Sequence, residues 1–167
     1  CSARRLTQVP NEINRNATSL KLLENRIHQI SNQSLYNLRN LTFIDLNWNH
    51  HTGGIYIANR TFFSLTRLQV LLLDGNLLWK VPEGLPPGLK NLSLNANHIF
   101  NITNEDFTGV PNVSEIYLDK NCYYGNPCNI FFSHLTSLNV LSLNYYNLSH
   151  VPPNLPNIFS ETLFKFE

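Results

Sequence analysis

Apolar residues recur along the chain in one frame, L-x-x-L-x-L-x-x-N-x-L, read six times from one end to the other. The units run Ala17, Leu20, Leu22, Asn25, Ile27; then Leu41, Ile44, Leu46, Asn49; then Leu68, Leu71, Leu73, Asn76, Leu78. Leu89, Leu92, Leu94, Asn97, Ile99 form the fourth, Val113, Ile116, Leu118, Asn121 the fifth, and Leu138, Leu141, Leu143, Leu148 the sixth. Successive starts lie 24, 27, 21, 24 and 25 residues apart. A period of this size is the signature of a stacked array in which no single unit can bury its own apolar face. The two aliphatic residues set two apart predict a short strand in each unit, since side chains alternate faces along a strand.

Stacking these strands predicts an α/β leucine-rich-repeat solenoid with a parallel concave sheet. The Asn that follows each strand reads as a structural ladder, because its amide can pair backbone groups that the turn would bury without partners. Tyr146 takes that position in the sixth unit, with Asn147 one place later. After the Asn, a second apolar set returns the chain along the convex side, as in Ile30, Leu35 and Leu38 or Ile102, Phe107 and Val110. Units three and six carry Val81-Pro82 with Leu85-Pro86, and Val151-Pro152 with Leu155-Pro156, so their returns are expected to be short and extended. Residues 1–16 read as the remnant of a cysteine-stapled N-terminal cap and 17–158 as six repeats. Residues 159–167 read as the start of a truncated seventh, so the C-terminal end is expected to be incomplete and the chain a fragment of a longer array.

Composition narrows the class. The chain of 167 residues is 43% hydrophobic and 14% charged with a formal net charge of +1, which excludes a coiled coil, an acidic tail and a strongly basic nucleic-acid arm. No apolar run approaches the length of a membrane span. Eight Asn head N-x-[ST] sequons, at Asn16, Asn32, Asn40, Asn59, Asn91, Asn101, Asn112 and Asn147, well above what chance placement supplies. That excess fits passage through the secretory pathway, although Asn-rich repeats also generate sequons by accident. Cys122 and Cys128 bracket a turn-rich Tyr-Tyr-Gly-Asn-Pro loop that suits a local disulfide in an oxidising compartment, leaving Cys1 without an internal partner. No cofactor or metal set is expected, and no nucleophile, acid and base constellation marks an enzyme.

The run Asn121-Cys-Tyr-Tyr-Gly-Asn-Pro-Cys128, the stretch Leu73-Asp-Gly-Asn76 through Val81-Pro-Glu-Gly-Leu-Pro-Pro87, and Ser149-His-Val-Pro-Pro153 resemble the ectodomains of Toll-like receptors, in the endosomal branch of receptors 7, 8 and 9. The resemblance covers residues 1 to about 156. Leu68 to Pro156 is most similar to receptors 7 and 8, whereas Asn25-Arg-Ile-His28 and Leu46-Asn-Trp-Asn49 are similar to receptor 9. The family implies a type I membrane receptor that senses single-stranded nucleic acid or its degradation products in the endosomal lumen, with RNA favoured over DNA. It also implies homodimerisation through the full ectodomain, and membrane attachment only through parts absent here. One departure is that His50 to Asn59 lacks the cysteines that receptors 7 and 9 carry in this insertion, which resembles receptor 8.

The candidate contact residues gather at the N-terminal end: Lys21, Arg26, His28, Phe43, Trp48, His50 and His51. A groove for single strands combines cations with stacking platforms, and only this end of the concave face approaches that. In the receptor 9 resemblance, Trp48 matches a tryptophan in a groove that reads a short DNA motif, with Arg26 and His28 nearby. The competing expectation is that Trp48 packs under the His50 to Asn59 insertion and that the two histidines are solvated loop residues. An imidazole ordinarily titrates near pH 6.5, so the six histidines would carry the net charge from +1 toward +7 in acid. Asn91 argues against a ligand path along the middle of the concave face, because a glycan there would block it. A protein-binding repeat module, or a scaffold segment without direct ligand contact, is the alternative reading.

Overall fold

A computed structural model describes residues 1–51, 53–122, 129–130 and 135–145. Among the described residues ten short strands follow one another: β1 Ser19–Lys21, β2 Gln29–Ile30, β3 Phe43–Asp45, β4 Tyr56–Ile57 and β5 Val70–Leu72. After them come β6 Asn91–Ser93, β7 Asn101–Ile102, β8 Glu115–Tyr117, β9 Asn129–Ile130 and β10 Val140–Ser142. Strands β1, β3, β5, β6, β8 and β10 form one parallel sheet in that order, one strand from each sequence unit. The register sets Leu20, Ile44, Leu71, Leu92, Ile116 and Leu141 in one row. That row is buried and its neighbours on either side are half-buried or exposed, with Ser93 the exception. The array is thus the leucine-rich-repeat solenoid that the period implies.

On the return side, β2 pairs with β4 and β7 with β9, both parallel. Helix α1, Asn32–Leu35, and a 3-10 turn over Asn104–Phe107 are the helical elements among the described residues. Each is opened by a reciprocal capping box, Ser31 with Ser34 and Thr103 with Asp106, which satisfies the first free N–H groups of the turn. The third unit returns without helix, its Val81, Pro82, Leu85 and Pro86 all buried. Its proline pairs account for that: they lack the N–H a helix requires. The equivalent return of the sixth unit lies outside the described residues.

The core is a column of apolar, mostly aliphatic side chains, with Phe62 the largest fully buried one. What seals its edge is the Asn ladder. Asn49, Asn76, Asn97 and Asn121 are buried to within about 1%. Asn76 shows the pattern: its Nδ2 donates to Leu73 O at 2.8 Å and Leu46 O at 3.0 Å, and its Oδ1 accepts from Asn49 N at 2.8 Å. Each amide thereby ties its own turn to the adjoining unit. At the N-terminal end Cys1 to Leu6 supply the missing rung, with Arg4 N and Leu6 N donating to Asn25 Oδ1 at 3.0 Å each. The sixth-unit position, Tyr146, lies outside the described residues.

Candidate functional site

The residue before each ladder position, an Asn in five units and Tyr146 in the sixth, turns the chain off the strand with a left-handed backbone: Glu24, Trp48, Gly75, Ala96, Lys120 and Tyr145 all have φ between 51° and 63°. For L-residues other than Gly this conformation costs on the order of 1–2 kcal/mol. The turn imposes it six times in register, so these side chains form a column at the rim of the sheet. Two of them are large and exposed, Trp48 at 44% and Tyr145 at 59%. The Lys120 ammonium stands 5.9 Å from the Tyr145 ring centroid.

Trp48 lies on Gly75, the next member of that column. A Cβ added to Gly75 would meet the indole at 2.2 Å, so only a residue without a side chain lets the ring settle there. His50 makes an edge-on contact with the indole, the ring centroids 5.8 Å apart and the rings at 72°, and its Nδ1 lies 3.0 Å from Gly75 O. A proton on Nδ1 satisfies that carbonyl and leaves the rest of the ring to the outside. Trp48, His50 and His51 then line one cleft with Glu24 and Asn25, about 350 Å3 in volume. The indole is therefore held from below and from one edge by the next repeat and the insertion, while its remaining surface is open.

Lys21 and Phe43 form a second pair on neighbouring strands, the ammonium 5.6 Å from the ring centroid. Arg26 and His28 stand beyond the ladder Asn on the returning chain; Arg26 N donates to Leu6 O and His28 O accepts from Tyr56 N. Neither lines the Trp48 cleft. The structure thus brings together two groups, Trp48 with the two histidines and Lys21 with Phe43, and sets Arg26 and His28 on the flank.

Further along, the concave face is committed to itself. Asn47, Asp74, Asn95, Asp119 and Asn144 occupy one position of successive repeats and make a second ladder. Asn47 Oδ1 accepts from Asp74 N at 2.6 Å, Asp74 Oδ1 from Asn95 N at 2.8 Å, Asn95 Oδ1 from Asp119 N at 2.7 Å, and Asp119 Oδ1 from Asn144 N at 2.8 Å. Ser93 and Ser142 donate to Asp74 and Asp119 at 2.6 Å each. Burial pushes the Asp74 carboxyl above the ordinary carboxylate range; its hydrogen bonds to Ser93 and Asn95 oppose this, and nearby Asp45 adds to it. Asn91 Nδ2 donates to Glu115 Oε2 at 2.5 Å, which Tyr117 also reaches at 3.1 Å. Burial first, then that carboxylate, push the Tyr117 phenol up. The sequence carried this ladder as an alternation of Asn and Asp at repeat spacing, a signal that sequence reasoning passed over.

Charge divides the same way. All seven arginines and Lys21 fall within residues 1–67 beside three carboxylates, whereas residues 68–167 hold four lysines and eight carboxylates. Of the sequons, Asn16, Asn32, Asn59, Asn101 and Asn112 are exposed, Asn40 and Asn91 half-buried, and Asn147 lies outside the described residues. Cys1 is an exposed free thiol and Cys122 is buried; Cys128 lies outside the described residues. Among the described residues no three His, Cys, Asp or Glu converge as metal ligands would, and no helix is long and apolar enough to cross a membrane.

No family model matches the chain. Among curated proteins, human Toll-like receptor 8 is 42% identical over 94% of this chain, and mouse Toll-like receptor 7 is 39% identical over 93%. Mouse Toll-like receptor 9 is 35% identical over 84%. The chain spans 15–17% of the length of these relatives.

Proposed function

The chain being a homologue of Toll-like receptors 7, 8 and 9, we propose that it is an N-terminal ectodomain segment of an innate immune receptor and takes single-stranded nucleic acid or its degradation products, RNA in preference to DNA. The observation that carries this reading is the Trp48 shelf, an indole kept open to solvent in a strained backbone conformation and bedded on a glycine of the next repeat. Exposing so large an apolar ring is useful when something flat lies on it, and a nucleobase stacked on an aromatic side chain contributes about 1–3 kcal/mol. Glu24 in the same cleft disfavours a phosphate there and suits an amino edge of a base, so the phosphates belong beside Lys21 and Arg26. Phe43, next to Lys21, offers a second stacking face. His50 and His51, which line the same cleft, add hydrogen-bonding groups beside the ring.

The remaining features of the reading follow from secretion. Cys122 pairs with Cys128, supported by the burial of Cys122 and by its not being a free thiol. The exposed sequons carry glycans, and Asn91 does not, because its amide nitrogen is spent on Glu115 in a half-buried position on the concave face. Homodimerisation and membrane attachment reside in the longer receptor. The self-satisfied Asn and Asp ladder favours a scaffold role for repeats three to six, which confines ligand contact to the first two. Fluorescence anisotropy of single-stranded RNA and DNA oligonucleotides at pH 5.5 and 7.5, across a salt series, tests the proposal. Acid-enhanced, salt-sensitive binding is expected; no binding by the folded protein at either pH would reduce the segment to scaffold throughout.

A further inference from the structure

On the return side, between the insertion of the second repeat and the return of the third, lies a groove of about 370 Å3. Tyr56 and Ile57 of β4 form one wall, Leu77, Trp79 and Pro82 the other, and the sequon residue Asn59 lines it as well. Two of its aromatic rings face solvent, Tyr56 at 62% and Trp79 at 59% exposure. Trp79 is steered by His98, whose ring centroid is 5.1 Å away at 79°. Lys80 and Glu83, which also line the groove, form an exposed ion pair. Gly53 and Gly54, both with φ near 100°, bring the insertion in without side chains, and a Cβ at Gly54 would strike Asn76 O at 2.8 Å.

We infer that this groove seats the innermost sugars of an N-linked glycan on Asn59. Asn59 is exposed in the sequon Asn59-Arg-Thr61 and belongs to the groove itself, so a glycan attached there starts among its walls. A pyranose presents one face of C–H groups, which suits an aromatic ring, and a rim of hydroxyls, which suits a charged pair. Trp79 and Tyr56 supply the rings, and Lys80 with Glu83 the rim. The arrangement also covers apolar surface that the solenoid otherwise leaves bare beside the second and third repeats. Asn32 and Asn101 are also exposed and do not line this groove, so they serve as internal controls.

The test is a time course of amidase release of glycans from the folded, secreted protein that carries these repeats, resolved site by site by mass spectrometry of glycopeptides. Release at Asn59 is expected to run about three- to tenfold slower than at Asn32 and Asn101, the factor that one aromatic contact gives, and to match them after denaturation. Trp79→Ala is expected to speed release at Asn59 alone; Tyr56→Ser, at an equally exposed ring, provides a second variant should the first misfold. Absence of a glycan at Asn59, release at the control rate in the folded protein, or indifference to both substitutions would overturn the inference.

Discussion

Asn97 offers the sharpest test of how the ladder holds the scaffold. Its Oδ1 accepts two backbone N–H groups, from Asn76 and Leu78, at 3.0 Å each. Its Nδ2 donates to the carbonyls of Leu73, Leu94 and Asn95. The carbonyls of Leu73 and Leu94 each keep a second donor, Asn76 Nδ2 at 2.8 Å and Asn121 Nδ2 at 2.9 Å. Substitution Asn97→Ala therefore leaves those carbonyls served and orphans two buried N–H groups. At about 1–3 kcal/mol for each buried group left unpaired, the loss is about 2–6 kcal/mol. Asn49 is the matched comparison, since its Oδ1 accepts one N–H, that of Ile27, at 3.0 Å. Both substitutions remove the same atoms from a buried site, so the difference between them isolates one N–H, and Asn97→Ala is expected to cost about 1–3 kcal/mol more than Asn49→Ala. Urea unfolding followed by circular dichroism, with the slope on denaturant checked for constancy, reads both values. Equal losses for the two variants would refute the accounting, as would a loss under about 1 kcal/mol for Asn97→Ala.

Gly75→Ala should dislodge the Trp48 ring, because the new methyl would lie 2.2 Å from the indole on a backbone at φ 63°; a shift of tryptophan emission with loss of oligonucleotide binding is expected, and unchanged emission would count against the shelf. Asp74 has a folded-state pKa above its ordinary value, so its proton favours the fold: that contribution is whole below about pH 3.8 and is lost as pH rises through the raised value. Asp74→Asn should accordingly gain melting temperature relative to the parent between pH 4 and pH 7, and an offset that does not change with pH would contradict this.

How much of this was visible in the chain differs from feature to feature. The strands were, because paired aliphatics two apart with an Asn three beyond them, recurring at a repeat spacing, are compatible with few architectures besides a stacked parallel sheet. The first ladder was visible for the same reason: an Asn kept among such varied neighbours marks a backbone requirement. The left-handed column was not, since Glu24, Trp48, Gly75, Ala96, Lys120 and Tyr145 share no chemistry and only the turn makes them alike. The bed under Trp48 needed the register as well: Gly75 sits 27 residues away in sequence and is adjacent only once the strands are stacked. Arg26 and His28 are close to Trp48 by repeat number, yet the turn at Asn25 carries them to the flank. The pairing of β2 with β4, which makes one wall of the Asn59 groove, involves two residues from each strand, too short for any periodicity to reveal.

The central claim is that Trp48 stacks a base of a single-stranded nucleic acid, and Trp48→Ala at pH 5.5 tests it most directly. The variant removes the ring and leaves the Lys21 and Phe43 pair in place. Anisotropy titration of a short single-stranded RNA should show affinity falling by about 5- to 150-fold, the equivalent of 1–3 kcal/mol of stacking, with the salt dependence unchanged because no phosphate contact is lost. Unchanged affinity in a folded Trp48→Ala protein would contradict the account.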